Sequence, residues 1–197
     1  MVIRLVVVVA VAGCTENIVS GAYLCGTEQL CPDGLVCNGP DNVCVLANEA
    51  QPFACGDAPD PAGDDSPAQG SVVASLACVS PIRETTGCLL SSDIADWYQF
   101  DVPGNCTAVQ VEARVTFPIA FEPLAMQRST DGGPAMAAET PCATTNPPQA
   151  GETARCFKLT VENGSHQAIG LVHSDTSNCG GDCANNRYTL SLQLSTP

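Results

Sequence analysis

Val109-Gln110-Val111-Glu112-Ala113-Arg114-Val115-Thr116-Phe117 alternates apolar and polar residues without a break. Successive side chains of a strand point to opposite faces, so this stretch is a strand with one dry and one wet face. The same period runs through Tyr98, Phe100 and Val102, through Phe157, Leu159 and Val161, and through Tyr188, Leu190, Leu192 and Leu194. Further strands are expected at 71–78, 121–127 and 166–173, and no segment carries a sustained helical stripe. Strands with one apolar face each must bury those faces by stacking as two sheets ~10 Å apart. The expectation is an all-β chain, a jelly-roll-like antiparallel β-sandwich over residues 71–197.

Ahead of the sandwich the composition changes. Residues 48–70 hold Pro52, Pro59, Pro61 and Pro67 together with Glu49, Asp57, Asp60, Asp64 and Asp65, and no basic residue. Prolines break helix and strand alike, and like charges extend a chain, so this is read as an acidic Pro/Gly-rich linker. Calcium is the rival reading of its aspartates. Their spacing is not that of a calcium loop, and Pro59 and Pro61 interrupt it, so a solvated linker is preferred and no cofactor is expected.

Residues 21–47 are a cysteine-rich module with Cys25, Cys31, Cys37 and Cys44, and turns at Pro32-Asp33-Gly34 and Asn38-Gly39-Pro40. So short a segment cannot bury a stable core, so disulfides must hold it. Four cysteines allow three connectivities; the interlaced one, Cys25–Cys37 with Cys31–Cys44, is favoured. Cys31-Pro32-Asp33-Gly34-Leu35-Val36-Cys37 resembles the small modules common in exported proteins of myxobacteria and their relatives.

At the amino terminus Arg4 precedes an unbroken apolar run, Leu5 to Ala12. It is far shorter than the ~20 residues that cross a bilayer, and reads as the apolar part of a secretory signal. Val11-Ala12-Gly13-Cys14 then resembles the bacterial lipoprotein box. The resemblance implies a signal peptide over 1–13, a lipid on Cys14 and a lipidated tether over 14–20. Thr15 rather than aspartate follows the cysteine, which makes the outer membrane the default destination.

Cysteine arithmetic agrees. Of 13 cysteines, removing Cys14 leaves Cys25, Cys31, Cys37, Cys44, Cys55, Cys78, Cys88, Cys106, Cys142, Cys156, Cys179 and Cys183. An even number in an exported chain reads as a complete disulfide set in an oxidising compartment. Zinc is the rival, but Cys179 and Cys183 form the one close pair and no second knuckle faces it, so no metal site is expected.

The sandwich region also resembles the bacterial pre-peptidase carboxy-terminal domain. The residues that carry this are Asp96-Trp97-Tyr98-Gln99-Phe100-Asp101-Val102, the strand from Val109 to Phe117, the turn Asp131-Gly132-Gly133 and the closing Tyr188-Thr189-Leu190-Ser191-Leu192. The chain departs from that family in its eight cysteines from Cys55 to Cys183 and in Phe121-Glu122-Pro123-Leu124, where the family has an aspartate-rich strand. The resemblance implies a non-catalytic domain of the kind that accompanies secreted peptidases or adhesins.

Charge narrows the partners. Seven basic against 21 acidic residues give a net charge of −14, which repels nucleic acid. The two histidines, His166 and His173, lie an odd number of residues apart on one strand and so face opposite ways. No metalloprotease, nucleophile-elbow or phosphate-loop motif is present. No enzyme is expected. Trp97 alternates with the inward set Tyr98, Phe100 and Val102, which puts it on the outer face as a candidate binding surface. The function read from the sequence is a lipid-anchored, non-catalytic cell-envelope protein, binding or structural. Its partners would be the membrane, through the lipid at Cys14, and an envelope protein or polysaccharide. An accessory or inhibitor of a secreted peptidase is the alternative, and a secreted hydrolase a more distant one.

If the disulfide set is complete, alkylation of the denatured, unreduced mature protein should label no thiol by mass spectrometry. Two or more labelled cysteines would contradict it.

Overall fold

The structure is a computed structural model, and it describes residues 18–39, 42–51, 63–73, 75–78, 82–89, 94–106, 109–118, 124–143, 147–173 and 186–195. The signal peptide, Cys14, Cys55, Cys179, Cys183 and residues 52–62 of the acidic linker lie outside the described residues. In chain order the strands are β1 (Tyr23–Leu24), β2 (Leu35–Asn38), β3 (Val43–Leu46), β4 (Ser71–Val72), β5 (Arg83–Leu89), β6 (Asp96–Asp101), β7 (Val109–Pro118), β8 (Leu124–Arg128), β9 (Ala135–Met136), β10 (Glu139–Thr140), β11 (Glu152–Val161), β12 (His166–His173) and β13 (Asn186–Ser195).

The cysteine-rich module is a small sheet in the order β1-β3-β2. Disulfides Cys25–Cys37 and Cys31–Cys44 interlace across it, and its core is little more than Cys25, Leu35 and Cys44. It rests directly on the sandwich. Asn42 Nδ2 donates to the Gly151 carbonyl at 2.9 Å, and the Arg187 guanidinium donates to the Gly39 carbonyl at 3.1 Å.

The sandwich is two five-stranded sheets, β10-β11-β7-β13-β5 and β4-β6-β12-β8-β9. All pairs are antiparallel except β4 with β6. The alternating residues meet between the sheets: Phe100, Phe117, Phe157, Leu171, Leu190 and Leu192 are all at most 2% exposed. Disulfide Cys78–Cys106 staples the chain just before β7 to the segment ahead of β5. Cys88 is also disulfide-bonded. Such bridges persist in an oxidising, exported environment.

A polar chain runs through this interior. Tyr188 donates to Asp96 Oδ2, so its hydroxyl must accept from Tyr98, whose oxygen lies 2.6 Å away. The two rings meet edge to face at 6.4 Å. Tyr188 belongs to one sheet and Tyr98 and Asp96 to the other, so the chain bonds the sheets to each other. Gly87, opposite Tyr188 on β5, leaves the room: a Cβ there would lie 2.3 Å from the Tyr188 oxygen.

Three expectations are corrected. Trp97 does leave the inner face, but it is only 1% exposed and cannot serve as a binding surface. Its indole lies flat on Gly170 of β12, where a Cβ would come within 2.7 Å of the ring, and Ala95, Ala125, Ala168 and Val172 complete a second core. The end of the linker region packs against the same strand. The Trp97 amide donates to the Asp64 carbonyl at 3.0 Å, the Gln99 side chain donates to the Pro67 carbonyl at 2.7 Å, and Gly70 abuts the Trp97 backbone. Residues 64–70 are thus part of the sandwich rather than a spacer. Finally, the strand expected over 71–78 is only Ser71–Val72, while β5 forms from Arg83-Glu84-Thr85-Thr86-Gly87-Cys88-Leu89, a sequence too polar to have shown period two.

Two stability measurements follow. Trp97→Ala should cost about 3–5 kcal/mol, as buried aromatics do, and Gly170→Ala should also lower the denaturation midpoint; a parental midpoint for both would place the indole elsewhere. Burial, then the Asp96 charge, hold the Tyr188 phenol well above its ordinary value of 10.0. The unfolded chain ionises Tyr188 near that value and the folded one does not. The stability contributed by the neutral phenol is therefore complete below pH 10 and is lost as pH rises toward the folded value. Tyr188→Phe should be less stable at pH 7, by about 1–3 kcal/mol, and should lose less on going to higher pH. An alkaline stability profile parallel to the parent would contradict this.

Candidate functional site

The outer face of the sheet β10-β11-β7-β13-β5 carries the polar half of the alternating strands. Register aligns Cys156, Arg114 and Ser191 in one row and Lys158, Glu112 and Gln193 in the next. These rows floor a groove of about 270 Å³. Its wall is built by a disulfide. Cys156 projects from this face, so its bridge to Cys142 draws Pro141 and Ala143 over the floor, while Ile82 borders the groove as well.

Charges on the floor are unequally paired. Lys158 Nζ sits 3.0 Å from Glu112 Oε1, which also accepts from Ser195 Oγ at 3.3 Å. Ser191 Oγ donates to Glu84 Oε1 at 3.2 Å. Both neighbouring carboxylates thus have partners. Arg114, at the centre, is half-buried, and its Nε is inaccessible and without a hydrogen-bond partner. A guanidinium offers a planar fork of donors matched to a carboxylate, and leaving one donor buried and unbonded costs about 1–3 kcal/mol. Arg155, by contrast, pairs with Glu139 and donates to the Leu124 carbonyl at 2.8 Å. That guanidinium holds the Glu139 carboxyl below its ordinary value, against a smaller opposing effect of burial.

Of the residues singled out from sequence, those that are described lie away from this groove, apart from two cysteines. Cys142 and Cys156 shape it, a role beyond that of a staple. Cys25, Cys31 and Cys44 bring their sulfurs within 4.8 Å of one another, but all three are in disulfides and offer no thiolate to a metal. His166 is exposed and bonded to Asp101 at 2.8 Å, while His173 is buried, so the two do face opposite ways. Arg114 was legible only as one polar residue on a wet strand face. Its lack of a partner depends on which side chains the register sets beside it, and that is not written locally.

No protein-family model matches the chain, and no curated protein matches it. Among solved structures it is similar to the pre-peptidase C-terminal domain of a collagenase from Bacillus anthracis, at 12% identity over 64% of this chain and 96% of that one, with a TM-score of 0.35. It is also similar to CorA, a surface-associated copper-binding protein of Methylomicrobium album BG8, at 9% identity over 65% of this chain and 98% of that one, with a TM-score of 0.29. Likenesses of this size leave the fold and the groove to be read from the chain's own residues.

Proposed function

We propose that the protein is a non-catalytic module of the bacterial cell envelope, held to the membrane by lipid on Cys14, whose sandwich binds an envelope protein or polysaccharide. The observation that carries this reading is the cysteine pattern. The described cysteines are all disulfide-bonded, as expected of a chain that matures in an oxidising compartment. With Cys55, Cys88, Cys179 and Cys183 read as two further pairs, Cys14, at the end of the apolar run, is the odd cysteine, available to a lipid. A buried methylene contributes about 0.8 kcal/mol of membrane affinity, so two or more acyl chains anchor stably. The outer membrane is the destination this reading favours. The wall and floor of the groove, with hydroxyl, amide and charged groups over an apolar rim, have the chemistry of a surface that holds a ligand.

Metabolic labelling with an alkyne fatty acid should mark the parent, and Cys14→Ser should abolish the label and move the protein out of the detergent phase on partitioning. Equal label in both forms would overturn the anchor.

A further inference from the structure

Among the described residues eleven large apolar side chains are exposed, and seven of them lie between Ile18 and Leu46. The other four, Val72, Ile82, Ile94 and Met136, are spread over the much longer sandwich sequence. Single exposed apolar residues are ordinary on a protein surface, and a concentration of them is not. Strand parity sorts the module's set into two faces. Leu24 sits beside Gly151 of the sandwich, where a Cβ would meet its methyl groups at 3.4 Å, so its face is turned to the sandwich. Tyr23, its neighbour on β1, takes the opposite face, together with Cys44, its partner on β3, and Leu46, two residues further along that strand. Cys31–Cys44 lays the segment that carries Leu30 over the same face, and Leu30 is 67% exposed there. The chain also arrives at this face, because the Leu46 amide donates to Ser20 Oγ at 3.2 Å, just after Ile18 and Val19.

We propose that this face of the module, Tyr23, Leu30 and Leu46 with Ile18 and Val19 beside them, rests in the headgroup layer of the membrane that anchors the chain. Reach brings it there. Four residue steps separate Cys14 from Ile18, at most about 14 Å of extended chain. A lipid on Cys14 therefore keeps the module close against the bilayer, and the face turned away from the sandwich is the one the tether enters. Tyrosine suits the headgroup level, with its ring in apolar surroundings and its hydroxyl wet. The leucines, isoleucine and valine around it bury apolar area at the acyl boundary. Charge plays no part. No lysine, arginine or histidine lies between Arg4 and Arg83, so the contact is with the apolar boundary rather than with anionic headgroups. The sandwich, on the module's other face, is held off the membrane. The proposal rests on reading Cys14 as the anchor.

The test uses the full chain, lipidated at Cys14, in phosphatidylcholine nanodiscs that contain a lipid with a nitroxide just below the headgroup, and reads the loss of methyl and ring-proton NMR intensity. Where fatty-acid labelling finds no lipid, the chain is joined through the Cys14 sulfur to a maleimide-bearing lipid instead, so the anchor and the face are judged separately. Tyr23, Leu30 and Leu46 should lose at least about twofold more intensity than Leu24 and Val36 on the module's other face, because an apolar face settles about 5–10 Å into the headgroup boundary while its back stays out. Val72 and Ile94, more exposed than any of these, should keep their intensity. Leu30→Ser combined with Leu46→Ser removes apolar surface without touching the module's core, and should bring Tyr23 to the level of Leu24 with the thermal midpoint unchanged. The proposal is overturned if the two faces lose intensity equally, as in a module that is merely tethered, if Val72 or Ile94 loses as much as Leu30, or if the double variant leaves Tyr23 as in the parent. It is equally overturned if the face is shielded both from the nitroxide lipid and from a water-soluble gadolinium chelate, which would put a second copy or another protein there. The comparison of faces is made within the parent protein, so a variant that fails to fold does not rescue the idea.

Discussion

The hydrogen-bonded run from Tyr98 through Tyr188 to Asp96 fixes more than itself. It sets which residues of β6 look inward. With Tyr98 committed to the interior by its bond to Tyr188, strand parity sends Trp97 to the opposite face, and a tryptophan there must be covered or stay exposed. The chain covers it, with Gly170 beneath the indole and small residues around it. This explains why β12 is buried on both faces along most of its length. One face serves the space between the sheets, and the other serves the indole. A bond between two hydroxyls thus decides where a second core forms.

Much of this was readable in the chain. The long strands β7, β11 and β13 alternate strictly, and a sheet with one wet face cannot hide that period. The interlaced pairing of the module's cysteines, one of three that four cysteines allow, is the one the structure holds. What escaped was set by neighbours distant in sequence. β5 carries Thr85, Gly87 and Leu89 on its inner face, a weak signal, because Gly87 is there to make room for two tyrosine hydroxyls. Trp97 had the correct side but the wrong exposure, since parity says which way a side chain points and nothing of what lies over it. The buried, unbonded Nε of Arg114 was illegible for the same reason.

The disulfides divide into two kinds by what they replace. In the module they stand in for a hydrophobic core that so short a segment cannot assemble. In the sandwich a large core already exists, and a bridge such as Cys142–Cys156 instead holds an edge segment over an outer face. A groove bounded this way owes its shape to a covalent bond rather than to packing. Its wall keeps its place without losing rotamer or loop entropy each time a ligand arrives.

The overlap of the two rings in the module carries a consequence for survival outside the cell. Cys25–Cys37 and Cys31–Cys44 together enclose every peptide bond from residue 25 to residue 44. A protease that cuts once anywhere in that span leaves both fragments joined through sulfur. The same holds between residues 78 and 106 and between residues 142 and 156. Single nicks in these stretches would scar the chain without shedding any piece of it, so whatever lies at its amino-terminal end would stay tied to the sandwich.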